Sequence, residues 1–499
     1  MKVEEAPAEY FALINPETDS RQWKTMGDIA EVVGGGTPRT SDASNFENGD
    51  IPWLTPADLS GYTEKYVSHG ARFITRKGLE SSSARLLPAG SVLFTSRAPI
   101  GYVAIARNPI ATNQGFKSFV LKEGILPEYV YWWLKGAKHI AEGLASGTTF
   151  LELSGANAKK LPIPLVPLDQ QKRIVAEIEK QFSRLDEAVA NLKRVKANLK
   201  RYKAAVLKAA VEGRLVETEA ERARREGRSY ETGAQLLQRI LETRRSQWQG
   251  KGKYKEPAAP DTTDLPELPE GWVWASVEQI ANLVTDGDHN PPKRTPTGVP
   301  HLTAKHIREW RVDPTDCTFI SKDDAVRVFK RYHPKAGDLI VTCVGTVGRT
   351  AIVPNSFEFS PDRNLAAIRF FSGTLDVKFL QIVLESSDYQ KLLRGASGST
   401  AQPHLYLSDL RSLLIPLVAT REQQRIVTEV DRLLSLITDV DAKAEANLKR
   451  AELLLKSTLS KAFRGQLMSE GAITVKVPEE YAVNGRAAAE KLTGARHEY

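Results

Sequence analysis

The sequence predicts an α+β protein made of two mixed α/β globules, copies of one pattern, each followed by a long coiled-coil helix. Three observations predict it. Pro164-Leu165-Val166-Pro167-Leu168-Asp169-Gln170-Gln171-Lys172-Arg173-Ile174-Val175 returns as Pro416-Leu417-Val418-Ala419-Thr420-Arg421-Glu422-Gln423-Gln424-Arg425-Ile426-Val427, an offset of 252 from Arg173 to Arg425. Apolar residues then repeat every seventh position after each copy. The segment between Trp23 and Pro162 also recurs, diverged, after Trp274. One unit is duplicated within 499 residues.

The helices come first because their signal is strongest. Ile178, Leu185, Leu192, Leu199 and Val206 form one seam position, and Ile174, Ala188, Val195, Tyr202 and Ala209 the second, broken at Gln181. In the second copy Val430, Ile437, Ala444 and Ala451 alternate with Ile426, Leu433, Val440 and Leu454, with Asn447 and Thr458 as polar interruptions. Asp169 and Thr420 are expected as N-caps, after prolines that cannot continue a helix backward. A continuous helix from Asp169 to Glu212 would be about 65 Å long, too long for the core of one small domain. Each stripe could pack on its own globule, but a seam sustained over five heptads favours a partner helix. The offset of 252 also matches Glu177 to Glu429, Leu207 to Leu459 and Gly213-Arg214-Leu215 to Gly465-Gln466-Leu467.

The globules read differently, as short β-branched and apolar runs punctuated by Gly and Pro. Ser91–Thr95 and Tyr102–Ala106 are predicted strands. A helix is predicted from Pro127 to about Leu144, with Tyr129, Val130, Trp133 and Leu134 on its apolar face and Tyr131-Trp132-Trp133 in the core. The landmarks of the second globule keep their order. Trp23-Lys24-Thr25-Met26-Gly27-Asp28-Ile29 is answered by Trp274-Ala275-Ser276-Val277-Glu278-Gln279-Ile280, and Ile51-Pro52-Trp53-Leu54-Thr55 by Val299-Pro300-His301-Leu302-Thr303. Gly90 and Gly101 match Gly337 and Gly348, each at an offset of 247, and Ser146-Gly147-Thr148-Thr149 matches Ser397-Gly398-Ser399-Thr400. Scaffold residues recur while the loops between them diverge. The organisation predicted is an N-terminal arm (1–22), a first globule (23–163), a long helix (164–216), a charged helical extension with a Pro-rich linker (217–270), a second globule (271–415), a second long helix (416–470) and a poorly ordered tail (471–499).

A formal charge of +8 and a pI near 9.1 suggest a polyanionic partner. Between Lys172 and Arg214 twelve Lys or Arg face five acids, although a solvated helix face accounts for such a run equally well. Cys317 and Cys343 make neither a disulfide framework nor a Cys-based zinc site, which points to a reducing compartment. Neither a signal-peptide core nor a run of eighteen apolar residues is present, so the expectation is a cytoplasmic protein without membrane contact.

At this point the chain resembles the specificity subunits of type I restriction-modification enzymes, from Trp23 to about Met468. The duplicated Pro-Leu-x5-Gln-x-Arg-Ile-Val stretches, the duplicated globules and the linker Pro266-Glu267-Leu268-Pro269-Glu270-Gly271-Trp272 carry the resemblance. It implies two target-recognition domains, each reading one half of a split, asymmetric site on double-stranded DNA. They would be joined by the two long helices, paired antiparallel as a spacer whose length sets the gap. Two DNA-adenine methylating subunits would dock, and motor-nuclease restriction subunits can join. The chain itself would need no cofactor, S-adenosylmethionine and ATP belonging to the partners.

The residues agree that the chemistry lies elsewhere. Asn290-Pro291-Pro292-Lys293 is similar to the Asn-Pro-Pro-aromatic motif of amino-methyltransferases, but Lys293 offers no ring to stack on a flipped base and no Gly-rich cofactor loop precedes it. A proline turn in a basic loop is the better reading. Gly34-Gly35-Gly36-Thr37-Pro38 and Gly345-Thr346-Val347-Gly348-Arg349-Thr350 lack the Gly-Lys-Ser/Thr ending of a nucleotide loop and read as tight turns. Asp362 has no nuclease-type companion, and the histidines show no metal spacing. What remains is a binding chain. Base edges are read by Arg, Lys, Asn and Gln, and phosphates are held by Lys, Arg, Ser and Thr. Loop positions of these kinds are Thr37, Arg39, Arg97, Lys117, Thr148 and Thr149 in the first globule, and Lys293, Arg294, Arg349, Arg363, Ser399, Thr400, Gln402 and His404 in the second. The competing reading is a noncatalytic coiled-coil adaptor that binds DNA without sequence preference. It accounts for the helices but leaves duplicated, loop-diverged globules without a purpose.

Overall fold

A computed structural model describes residues 22–147, 151–250, 252–308, 310–396 and 404–463. The chain divides into two compact units, residues 1–193 with 445–499, and residues 194–444.

In the first unit a five-stranded sheet carries the fold. Ala30–Gly34 pairs with Lys117–Leu121, which pairs with Val92–Ser96, then Ile100–Ala106, then Tyr66–Val67. The two predicted apolar strands pair antiparallel at its centre, because Val92, Leu93, Phe94, Ala104 and Ile105 are buried on both faces. A second, three-stranded sheet joins Arg72–Ile74, Ile51–Leu54 and Ala111–Thr112. Gln22–Thr25 pairs antiparallel with Pro162–Leu165, closing the globule where the long helix leaves it. The predicted helix over 127–144 is in fact two, Pro127–Gly136 and Lys138–Leu144, broken at Ala137 (φ −95°, ψ 14°). Gly136, with its low helix propensity, precedes the break. Tyr131 and Trp133 are core residues as predicted, and the Trp132 ring lies 4.7 Å from that of Phe182 on the long helix.

The second unit repeats this plan. Val273–Ser276 pairs with Leu414–Leu417. A four-stranded sheet orders Ala281–Asp286, Leu365–Phe370, Leu339–Thr342 and Thr350–Ile352, and the companion sheet contains Arg294–Thr295, Thr318–Ile320, Val299–Leu302 and Ser360–Pro361. The charged extension is part of this unit. Its helices Glu219–Glu226 and Gly233–Ser246 are separated at Gly227, whose φ of +63° suits glycine, and Leu236 and Ile240 are fully buried in the unit's core. The linker is mostly exposed, yet its end is pinned: Trp272 is buried and its Nε1 donates to Glu422 at 3.0 Å.

Both long helices form as single runs of 44 residues, Leu168–Val211 and Thr420–Phe463. In the first unit Ile178, Phe182, Leu185 and Val189 share a core with Ala451, Leu455 and Leu459. In the second, Val206, Leu207 and Ala210 share one with Ile426, Val427 and Val430. The start of each helix meets the end of the other, so the pair is antiparallel, and Lys196 reaches Asp441 at 3.8 Å across it. Toward its globule the stripe widens beyond the seam, because Val175, Phe182 and Val189 pack there. Mid-helix, Leu192 and Leu199 are half-buried and Val195 is 38% exposed, as the seam alone would leave them.

The predicted caps are displaced. Gln171 N–H donates to the Pro167 carbonyl and Glu422 and Gln423 N–H to that of Ala419, so Asp169 and Thr420 lie inside the first turns. Asp169 instead pairs with Arg173 at 3.0 Å. The anchoring falls to the motif glutamines. Gln171 Oε1 accepts from Leu126 N–H at 2.9 Å while its Nε2 donates to the Val166 carbonyl at 2.9 Å. Gln423 does the same with Asp376 N–H at 2.8 Å and the Val418 carbonyl at 2.7 Å. Both side chains are buried, and each ties the long helix to the cap of the helix that follows the sheet. The break predicted at Gln181 is absent: it is buried and donates to Glu177 at 2.7 Å, one turn back.

Candidate nucleic-acid interface

Four loops meet along one rim of each globule. In the first they are 34–39, 96–99, 113–117 and, on either side of 148–150, 146–147 with 151–152. Gly35 N–H donates to the Phe116 carbonyl, Ser96 N–H to that of Gly115 and Leu153 N–H to that of Ser96, and Ser146 bridges Glu152. Gly35 is needed for this closure, since a Cβ there would fall 2.0 Å from the Asn113 carbonyl oxygen. The Gly34-Gly35-Gly36 run is not the tight turn its sequence predicts: Gly34 ends a strand, and Gly35 and Gly36 run on from it with their N–H groups on the Phe116 and Thr112 carbonyls. In the second globule the loops are 286–294, 343–349, 362–364 and 404–406. Cys343 N–H donates to the Asn364 carbonyl, Leu405 N–H to that of Cys343, and a Cβ on Gly287 would lie 2.3 Å from the Pro361 carbonyl oxygen.

The predicted residues distribute over these rims unevenly. Thr37 donates its hydroxyl to Gln114 Oε1, while Arg97 and Lys117 converge on Glu152 at 3.3 and 3.6 Å. Arg39 is exposed, its carbonyl held by Asn45 Nδ2 at 3.0 Å. In the second globule Lys293 and Arg363 are exposed, and Arg294 turns back to the Pro292 carbonyl at 3.1 Å. Arg349 reaches toward the Ile307 carbonyl at 3.5 Å, and the His404 ring lies 4.5 Å from that of Tyr406, itself 60% exposed. Thr148, Thr149, Ser399, Thr400 and Gln402 fall outside the described residues.

Electrostatics separate the two rims. That of the second globule carries Asp286, Asp288 and Asp362, and the first two are taken by Arg331 and by Arg327, the latter at 2.5 Å from Asp288. The Asn290-Pro291-Pro292 turn is therefore held by ion pairs around it, and Arg327 also donates to the Asn290 carbonyl. The loop is less basic than its lysine and arginine alone imply. Burial pushes the Asp362 carboxyl up, but the His301 ring beside it, 3.7 Å away, and the Asn364 N–H hold it below the usual carboxylate range. The Cys343 thiol is pushed up to about 11 by burial, which suits a packed rather than a reactive sulfur. Among the described residues no cluster of His, Cys, Asp or Glu could hold a metal, and no helix is long and apolar enough to cross a membrane.

The sequence reading passed over Asn113, Gln114 and Asn364, which sit on the turns at the centre of each rim. Their signal was available: amide side chains in the short polar segment before a recurring strand.

The family model for the type I restriction modification DNA specificity domain matches this chain twice, over residues 20–201 and 269–450. The chain belongs to this family. It is 25% identical over 457 residues to the EcoBI specificity subunit of Escherichia coli, covering 89% of this chain and 86% of that one. A shorter match, 43% identical over 173 residues, is to the MjaIX specificity subunit of Methanocaldococcus jannaschii and covers 34% of this chain and 39% of that protein. Two solved structures share the fold. The HsdS subunit from Thermoanaerobacter tengcongensis matches with a TM-score of 0.55 at 17% identity, covering 89% of this chain and 97% of its own. A chain from a type I R-M system matches with a TM-score of 0.57 at 19% identity, covering 89% and 98%. The duplication read from the sequence is the double match of the family model. Members of this family are noncatalytic subunits that supply sequence recognition, and this chain is one of them.

Proposed function

We propose that this chain reads a two-part, asymmetric DNA site and brings two methylating subunits to it, with restriction subunits able to join the same complex. The observation that carries this reading is the rim built twice from the same four loops with different side chains. Two readers of one design but unlike surface contact two unlike stretches of duplex. In this reading the two long helices act as a spacer, so that the separation of the readers does not depend on the intervening bases. S-adenosylmethionine and ATP then act on the partner subunits, and the complex works in the cytoplasm where its DNA is. An adaptor without sequence preference would have no use for glycine-closed rims maintained in both copies.

The test is exchange of one reader. Replacing residues 23–163 with the corresponding globule of a relative of different specificity, in the complex with its methylating subunits, changes one half of the methylated site and preserves the other half. A change in both halves, or in neither, contradicts independent readers.

A further inference from the structure

At the centre of each rim the chain makes the same turn. Asn113 N–H donates to the Leu54 carbonyl at 2.8 Å, and Asp362 N–H to that of Leu302 at 2.8 Å. The side-chain oxygen of each then accepts from the N–H two residues on, Gly115 at 2.9 Å and Asn364 at 3.0 Å. Phe116 N–H and Leu365 N–H close back on the Asn113 and Asp362 carbonyls at 3.2 and 3.0 Å. The following loop docks identically, Ser96 N–H on Gly115 and Cys343 N–H on Asn364, both at 2.8 Å. The last loop docks on it in turn, Leu153 N–H on Ser96 and Leu405 N–H on Cys343, both at 2.9 Å. Five hydrogen bonds thus recur one for one, and each turn is pressed by a glycine, Gly35 or Gly287, that tolerates no Cβ.

The residue at the apex of this frame is Gln114 in one globule and Arg363 in the other, and both are exposed. We infer that Gln114 and Arg363 are equivalent base readers, Gln114 selecting an adenine in one half-site and Arg363 a guanine in the other. The chemistry follows from the donors. A glutamine amide offers one acceptor and one donor in the spacing of adenine N6 and N7, whereas a guanidinium offers two donors that fit guanine O6 and N7. Thr37 donates to Gln114 Oε1, which leaves that oxygen a second lone pair and the amide N–H groups free to meet a base edge. A frame held this tightly fixes where the apex points before DNA arrives, so the side chain alone writes the difference. Gln114 was not among the residues singled out from the sequence, and the pairing with Arg363 emerges only when the two turns are compared bond by bond.

This rests on the two-reader function above, and the experiment separates the two. The complex with its methylating subunits is used to select DNA from a random pool, unsubstituted and as Gln114→Arg, Gln114→Ala and Arg363→Gln. Gln114→Arg should convert one adenine to guanine in one block, and Arg363→Gln one guanine to adenine in the other, with preferences reversed by roughly ten- to a hundredfold and the remaining bases kept. Where Gln114→Arg binds too weakly to select, Gln114→Ala should lose preference at that one position alone. Unchanged bases in the selected blocks would overturn the inference. So would an Arg363→Gln complex whose bases are unchanged but whose salt dependence falls by about one phosphate contact. If the unsubstituted complex enriches no paired blocks, it is the two-reader function that fails.

Discussion

Replacing Gln423 with alanine should loosen the second long helix from its globule while leaving the apolar core intact. The side chain is fully buried and makes two hydrogen bonds, accepting from Asp376 N–H at 2.8 Å and donating to the Val418 carbonyl at 2.7 Å. Each of the two bonds is worth about 0.5–1.5 kcal/mol net, and stranding the half-buried Asp376 N–H adds about 1–3 kcal/mol, so the loss is about 2–6 kcal/mol. In a unit of this size that lowers Tm by roughly 4–24 °C. Glutamate is no rescue, because a carboxylate cannot donate to Val418 and would face its carbonyl oxygen. Hydrogen exchange followed by mass spectrometry gives the local reading: the segment around Asp376 should exchange at least about tenfold faster, as a local loss above 1.4 kcal/mol requires. Gln171→Ala should do the same at Leu126. A Tm drop of less than about 2 °C together with unchanged exchange at residue 376 would refute the clamp and leave the duplicated motif without a structural purpose.

Further outcomes follow from other sites. Burial holds the Glu385 carboxyl above the usual range although it accepts from Thr350 N–H and Oγ1 at 3.1 and 2.7 Å. Its raised folded-state pKa means that stability is complete below the ordinary carboxylate range and is lost as pH rises through the folded value. Glu385→Gln, which keeps both acceptor contacts, should therefore flatten the unfolding free energy between pH 4 and 8 in urea titrations, and an unchanged pH slope would count against it. Asp338 is 2% exposed and accepts from Arg369 Nε at 2.7 Å, Tyr332 Oη at 2.7 Å and Lys335 N–H at 2.9 Å. Asp338→Ala removes the buried acceptor shared by the buried Tyr332 hydroxyl and the partly exposed Arg369 guanidinium and should cost about 1–3 kcal/mol by chemical denaturation; a loss below about 0.5 kcal/mol would mean that the pair is solvated. Gly35→Ala should cost about 1–3 kcal/mol and blur only the half-site read by the first globule, whereas equal damage at both half-sites would contradict separate rims. Removing one heptad from the middle of each long helix takes out about 10 Å of rod, so the gap between methylated half-sites should shorten by about three base pairs or binding should fail. Intact binding at the original gap would count against a spacer role.

The helices and the duplication were legible because each is a repeating signal. Seven-residue spacing from Ile174 to Ala209 and an offset of 252 between copies survive divergence, since every position contributes. The strands at 92–96 and 100–106 were legible for the same reason as any doubly buried hairpin, a run of apolar residues bounded by Gly and Pro. Misread details turned on single local contests. Asp169 is a good cap type, but the chain starts its helix one residue earlier and Asp169 finds Arg173. Gln181 looked like a break in the seam but is accommodated by bonding to Glu177. Leu236 and Ile240 lie in a stretch read correctly as helical, but their burial in the second unit's core is masked by the charged residues around them. The rims were the least legible, because Gln114 and Arg363 share neither residue type nor neighbours. Their equivalence lies in backbone hydrogen bonds that no side-chain pattern records.

The most direct test of the whole account is sequencing of DNA selected from a random pool by the chain assembled with its methylating subunits. Two short, unlike blocks separated by a constant, unselected gap are the predicted result. A single block, or two blocks at variable distance, would contradict two fixed readers on one antiparallel spacer.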